Sequence, residues 1–125
     1  MTGDYDLGRF KTEMKRRTKR FAHDCVKVAV SLPSGILENH IKKQLIRCST
    51  SVAANYRASC IAQTIPSVIS KMTIAIEEAD ESEFWIEFAF EEQLFTIEKI
   101  QPLLDEAHEI TSILIKSRHT LQQKK

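Results

Sequence analysis

The chain has 125 residues, of which 42% are hydrophobic, so it suits one domain with a single core over residues 1–125. Its three glycines, Gly3, Gly8 and Gly35, are too few and too scattered for a phosphate-binding loop, a nucleophile elbow or a dinucleotide fingerprint, which excludes most nucleotide-dependent enzymes. The formal net charge is only +1, but residues 1–57 hold twelve Lys and Arg against five Asp and Glu, whereas residues 58–125 hold six against twelve.

The first predicted helix begins at about Leu7, after a tail over residues 1–6, and ends before Pro33, because a residue that precedes proline is pushed out of the helical region. Its apolar residues recur at the three- and four-residue steps of a core-facing helix: Phe10, Met14, Phe21, Cys25, Val28 and Leu32. The opposite side carries seven cations: Arg9, Lys11, Lys15, Arg16, Lys19, Arg20 and Lys27. This side is either a solvated helix face or a surface for an anionic partner.

The second predicted helix, from about Leu37 to Cys60, has an unusual composition, since Cys48 to Ala54 contains only small or short side chains and Val52. At about 100° per residue, two faces separate. One is an ordinary apolar stripe of Ile41, Leu45, Cys48, Val52 and Tyr56. The other is smooth and edged by cations: Lys42, Thr50, Ala53 and Arg57. Small side chains let another helix or a nucleic acid approach closely, so this second face contacts either a neighbouring helix or a ligand.

The third predicted helix, about Thr64 to Gln93, is apolar on two sides. The first stripe, which faces the core, comprises Ile69, Met72, Ile76, Ala79, Ile86 and Phe90. The second, nearly opposite, comprises Ile74, Phe84, Trp85, Phe88 and Phe95. One bundle offers each helix a single core, so the second stripe predicts an oligomer interface, where aromatic residues are enriched. The alternative is that these rings fill a wide core.

An acidic run precedes the aromatic block and consists of Glu77, Glu78, Asp80, Glu81 and Glu83. No neighbouring nucleophile points to catalysis, so these carboxylates are expected to be solvated or paired. In an antiparallel hairpin we expect Arg57 to pair with Glu77, Glu78 or Glu81.

The fourth predicted helix follows Leu94 to Thr96 and extends to about Leu121, before a polar tail over residues 122–125. Pro102 leaves its start open, either near Gln101 or earlier with a kink. Short connections force neighbouring helices to be antiparallel. The sequence therefore predicts an all-α, up-down-up-down antiparallel four-helix bundle.

The segment Gln44–Ala58, QLIRCSTSVAANYRA, resembles the signature of the four helix bundle protein family, also called the 23S rRNA intervening-sequence or S23-type proteins. A second block agrees with it, Ile69–Met72 followed by Glu77–Ser82 and Phe84-Trp85. Further agreement lies near both ends of the chain, at Arg17–Lys19, Phe21-Ala22, Glu106-Ala107, Glu109-Ile110 and Ser117-Arg118. The resemblance implies a small bundle that assembles as a homopentamer. It also implies kinship with the nucleic-acid-binding accessory protein of diversity-generating retroelements.

Residues for metal or covalent chemistry are not grouped in the sequence. A di-iron bundle needs Glu-x-x-His on two helices, and only Asp105-x-x-His108 has a similar spacing. The three cysteines are odd in number and without CxxC spacing, which indicates free thiols in a reducing compartment and no disulfide. We therefore expect a cytoplasmic protein without catalytic, metal or cofactor-binding residues.

The leading hypothesis is a non-enzymatic nucleic-acid-binding accessory module, for RNA or DNA backbone. Its expected contact residues are Lys11, Lys15, Arg16, Lys19, Arg20, Lys42, Lys43 and Arg47. The second hypothesis is a protein–protein scaffold whose basic and acidic halves join subunits or a protein partner without nucleic acid. An enzyme is the third. Under the first two hypotheses the protein is a homo-oligomer with no membrane contact.

Overall fold

The computed structural model describes the backbone of residues 2–124 and the side chains of residues 7–124. Four helices follow one another: α1 (Thr2–Val30), α2 (Ile36–Ile61), α3 (Ile65–Glu91) and α4 (Ile97–Gln122). Each packs against the next, α4 closes the bundle against α1, and no contact joins diagonal helices in the part of the chain described. The predicted all-α antiparallel four-helix bundle is thus confirmed.

The helix ends differ from the predicted ones in two places. α1 begins at Thr2, inside the segment expected to be a tail, and Met1 and Lys125 lie outside the described residues. α4 begins at Ile97 and continues through Pro102, so the alternative of a start near Gln101 is wrong. Pro102 is the sixth residue of α4, so it cannot donate a backbone hydrogen bond to the Glu98 carbonyl, and the helix continues without that bond.

A local motif marks each end of α3. Thr64 caps its start, since the hydroxyl accepts a hydrogen bond from the Ser67 amide at 3.2 Å. At its end Gln93 adopts a left-handed conformation with φ 65°. The Leu94 amide then donates to the Ala89 carbonyl at 2.9 Å, and the Gln93 amide donates to the Phe90 carbonyl at 2.9 Å. This pair of bonds is a Schellman motif, in which glycine would be the unstrained residue.

The core runs the length of the bundle and is built from aliphatic, aromatic and small side chains of all four helices. Its largest fully buried apolar members are Phe21, Ile41, Leu45, Tyr56, Ile86, Ile100, Ile110 and Leu114. Burial of each large aliphatic or aromatic side chain contributes about 1.5–3 kcal/mol. Phe10 and Phe90, which the sequence placed on core stripes, are 37% and 39% exposed instead. Both lie near an end of the bundle, where the neighbouring helices cover them less.

Four buried hydroxyl groups sit within this core, at Thr18, Ser49, Ser59 and Ser82. Each donates to a carbonyl of the preceding turn, as Thr18 does to Met14 at 2.8 Å and Ser82 to Glu78 at 2.8 Å. No buried side-chain nitrogen or oxygen of the described residues lacks a hydrogen-bond partner. The polar residues therefore allow close helix packing without the penalty of an unsatisfied group.

The contact between α1 and α4 is closed by an ion pair that the sequence analysis missed. The guanidinium of Arg17 donates to both carboxylate oxygens of Glu106, at 2.6 and 2.9 Å. These hydrogen bonds raise the pKa of Arg17 above its ordinary value. A bidentate pair of this kind fixes the register of the two helices.

Candidate nucleic-acid interface

A groove of about 700 Å³ runs along the outer surface where α1 meets α2. Its floor consists of short side chains, Ala22 and Val26 from α1 with Ala53 and Ala54 from α2. The polar lining residues stand around this floor: Thr12, Lys15, Arg16, Lys19, His23, Thr50 and Arg57. The small-residue face predicted for α2, with Thr50, Ala53 and Arg57, therefore forms one side of a groove. Its other side comes from α1, and Val26 and His23 could not be predicted as lining residues because the register between α1 and α2 is not set by local sequence.

Lys15, Lys19 and Arg57 supply the positive charge of this groove. All three side chains are exposed, and none forms an ion pair within residues 7–124. They come from two antiparallel helices and converge on the same apolar floor. Three exposed ammonium and guanidinium groups around a shallow floor attract an anionic ligand.

Arg16 lines the groove, whereas Arg20 lies on the same helix and is not a lining residue; carboxylates of α1 partly neutralise both. Arg16 pairs with Glu13, and Arg20 donates to Asp24 at 3.3 Å. The two arginine side chains nevertheless remain 73% and 76% exposed, so these surface pairs are weak and both arginines stay accessible to a ligand.

The other predicted nucleic-acid contacts do not lie in this groove. Lys11 lies at the end of the bundle, and Lys42 and Lys43 belong to the opposite half of α2, half-buried and exposed respectively. Arg47 is engaged with α3, where it pairs with Glu78 at 3.2 Å and also with Glu81. The hydrogen bond to Glu81 raises the pKa of Arg47. Although partial burial acts in the other direction, the hydrogen bonds from Arg47 and Trp85 lower the pKa of Glu81.

The expected pairing of Arg57 with the acidic run is wrong, because Arg47 holds that position. In the observed register Arg47 and Ser51 face Glu78, and Cys48 faces Ser82. Arg57 lies ten residues further along α2, about 15 Å along the axis at 1.5 Å per residue. It is also rotated by about 80° towards α1. The sequence showed two arginines and one acidic run, and only the helix register decides between them.

This register predicts different stabilities for two arginine variants. Arg57→Ala should leave the thermal unfolding midpoint unchanged, because no ion pair is lost. Arg47→Ala removes the pairs with Glu78 and Glu81, and should lower the free energy of unfolding by about 0.2–1 kcal/mol, since Arg47 is 48% exposed. Thermal melting followed by circular dichroism measures both. Equal destabilisation by the two substitutions would contradict the assignment.

The second predicted surface lies on the outer side of α3. The Phe84 ring is 50% exposed and contacts Trp85 at 5.0 Å and Phe88 at 5.8 Å between ring centroids. Trp85 and Phe88 are half-buried against the core, and His40 of α2 meets the edge of Trp85 at 5.3 Å. Ile74 is half-buried on the same side. We refer to Phe84, Trp85 and Phe88 as the aromatic patch.

Phe95 does not belong to the aromatic patch. It follows the turn after α3 and is buried in the core of the subunit, with 7% exposure. The sequence treated it as a continuation of the α3 stripe, but the left-handed residue Gln93 redirects the chain before it. Part of the predicted second stripe therefore fills the subunit core, as the alternative interpretation proposed.

The described residues bring together no group of three His, Cys, Asp or Glu side chains that would hold a metal ion. Cys25 and Cys48 are buried, and burial raises the pKa of both thiols, that of Cys48 to about 11. Such thiols are poor nucleophiles at neutral pH. In the described part of the chain no helix combines the length and the apolar character needed to cross a membrane.

Comparison with known proteins identifies relatives of this chain. Residues 11–116 match the sequence model of a family described as 23S rRNA-intervening sequence protein. A crystal structure of a protein of unknown function from the S23 ribosomal protein family of Bacteroides thetaiotaomicron is similar, with a TM-score of 0.76 and 29% identity. The similarity covers 84% of this chain and 97% of that one. A comparison with curated proteins found no match.

Proposed function

Because the chain belongs to the 23S rRNA-intervening sequence protein family, we propose that it is a non-enzymatic accessory protein that binds the backbone of RNA or DNA along the α1–α2 groove. One observation carries the proposal: Lys15, Lys19 and Arg57 stand without ion pairs in the described chain around a floor of small side chains. Phosphate groups are the anions that such an extended cationic groove recognises best.

The shape of the groove favours a backbone rather than bases. Alanine and valine side chains leave room for a sugar-phosphate chain to approach the helices, and the cations beside them reach its phosphates. No Phe, Tyr or Trp ring lines the groove within the described residues, and His23 is the single imidazole among its lining residues, so base stacking adds little to the affinity. Contacts to phosphate and sugar fix a position but carry no sequence information.

The proposal is tested by sequence discrimination. A gel-shift assay should compare two unrelated RNA hairpins and two unrelated DNA duplexes of equal length with the wild-type protein. Affinities within about tenfold of each other are expected, since one well-read base pair is worth about 1–3 kcal/mol of discrimination and none is read here. A preference of several orders of magnitude for one sequence would require base readout and would overturn the backbone-binding proposal.

The aromatic patch favours a second role, assembly of subunits or of a protein partner. A half-exposed phenylalanine beside tryptophan is the kind of surface that anchors an interface. The family resemblance suggests a homopentamer. The two roles are compatible, since the groove lies between α1 and α2 and the patch on α3. A scaffold without nucleic acid would instead use the groove cations to dock on the acidic side of α3.

The carboxylates on that acidic side of α3 lie close enough together to attract a cation. Partial burial and the nearby carboxylates of Glu83 and Glu91 raise the pKa of Glu87.

We place the protein in the cytoplasm, because its three cysteines are free. We assign it no cofactor and no catalytic residue.

A further inference from the structure

A cavity of about 400 Å³ opens at the end of the bundle where α2 passes into α3. All four helices contribute to it, from the start of α1 and of α3 and from the last turns of α2 and α4. Its size lies in the range of about 300–1,000 Å³ that is typical of sites for small ligands. The α1–α2 groove has a separate set of lining residues, so this cavity is independent of the proposed nucleic-acid interface.

The cavity wall is mostly apolar. Leu7, Phe10, Val68, Met72 and Leu121 line it, with the ring of buried Tyr56 in its wall. Phe10 and Leu7 are 37% and 50% exposed, so the subunit itself leaves part of both side chains uncovered at the cavity. The cavity thus explains why Phe10, on the core-facing side of α1, is not covered by the subunit itself.

Two ammonium groups give the cavity a positive charge. Lys11 and Lys124 are both lining residues, and no carboxylate occurs among the described residues that line it. Neither lysine forms an ion pair within residues 7–124. A pocket that is mostly apolar and positively charged at two residues is complementary to a molecule with an alkyl body and one anionic head group.

We propose that this cavity binds a small anionic amphiphile, a medium-chain carboxylate, whose alkyl chain contacts Phe10, Met72 and Leu121 and whose carboxylate pairs with Lys11 and Lys124. Lys11, which the sequence grouped with the nucleic-acid contacts, acquires a different ligand under this proposal. Ligand affinity then increases by about fourfold for each methylene group removed from water, until the cavity is full.

The binding test uses isothermal titration calorimetry on the full chain with five probes: decanoate, octanoate, hexanoate, decanol and decyltrimethylammonium. Decanoate is expected to bind most tightly and the cationic probe least, with hexanoate weaker than octanoate and octanoate weaker than decanoate. Lys11→Gln should weaken decanoate by about two- to fivefold and leave decanol unchanged, the size expected of an exposed ion pair. Equal binding of the anionic and cationic probes would overturn the proposal.

Cys60 reports whether a bound molecule occupies the cavity. It lines the cavity and is half-buried, whereas Cys25 and Cys48 are fully buried, so a thiol reagent reaches Cys60 first. Decanoate should slow the modification of Cys60 in proportion to its occupancy. Unchanged modification at saturating decanoate would overturn the assignment of the site. The assignment would also be overturned if Cys60 were protected in the ligand-free protein and this protection disappeared on dilution. A second copy of the chain would then be what covers the cavity.

A variant that fills the cavity, compared with a matched control on the same helix, tests the location of the site. Ser117 lines the cavity, and Ser117→Leu replaces its hydroxyl group with three carbon atoms where the alkyl chain would lie. Ser112 is exposed on the same helix and is not a lining residue, so Ser112→Leu makes the same chemical change outside the site. Ser117→Leu should lower decanoate affinity at least tenfold without lowering the thermal unfolding midpoint, and Ser112→Leu should do neither. Unchanged affinity in the Ser117 variant would contradict the proposal.

Discussion

Replacing Lys15 and Lys19 by glutamate is expected to remove most of the affinity for nucleic acid. Both side chains are exposed, line the α1–α2 groove and make no ion pair in the described chain, so their charges are available to phosphates. Each lost phosphate contact reduces the slope of log affinity against log salt by about one, so the double variant loses about two. When the salt concentration rises fourfold, the wild-type protein therefore loses about tenfold more affinity than the double variant does.

A matched variant separates the groove from net charge. Lys27 and Lys116 are exposed and lie outside the groove, and Lys27→Glu/Lys116→Glu changes the net charge by the same amount. Fluorescence anisotropy with a labelled RNA hairpin should show a large loss for the first pair and a small one for the second. Equal losses would mean that the overall charge, and not the groove, attracts nucleic acid.

Phe84→Glu is expected to dissociate the assembled protein without unfolding the subunit. The Phe84 ring is 50% exposed, so the substitution removes few contacts of the subunit core. In an interface it would be an anchor residue, and the loss of such a residue costs about 2 kcal/mol or more, which is about thirtyfold in the dissociation constant. Phe88 is a poorer probe, because it is packed against the core and its replacement would also destabilise the subunit.

The control for this substitution is Phe90→Glu. Phe90 lies on the same helix, is 39% exposed and is outside the aromatic patch. Sedimentation at micromolar concentration should show the wild type and the Phe90 variant as the same oligomer and the Phe84 variant as a smaller species. A monomeric wild type would disprove assembly through the patch.

The fold could be predicted because its signals are local. The helices are indicated by apolar residues at helical spacing, and their limits by Pro33 after α1 and Thr64 before α3. Each of these signals affects only the few residues around it in the sequence. The number, order and approximate bounds of the helices follow from them. The small-residue face of α2 was also visible in this way, because Thr50, Ala53 and Arg57 fall on one side of one helix.

What depends on the register between helices could not be predicted. The sequence analysis paired Arg57 with the acidic run and grouped Arg47 with the nucleic-acid contacts, and only the observed pairing of α2 with α3 assigns Arg47 to Glu78 and Glu81. The same limitation applies to Phe95, because a single left-handed residue, Gln93, moves it from the α3 stripe into the core. The groove and the end cavity also arise between helices, and periodicity within one helix does not reveal a space between two.

The salt dependence of nucleic-acid binding by the wild-type protein tests the central claim most directly. Anisotropy of a labelled RNA hairpin, titrated with protein at several salt concentrations, gives the slope of log affinity against log salt. With Lys15, Lys19 and Arg57 each contacting a phosphate, we predict a slope of about −2 to −3 for one subunit. Absence of binding at low salt, or an affinity that does not change with salt, would contradict a groove that binds the phosphate backbone.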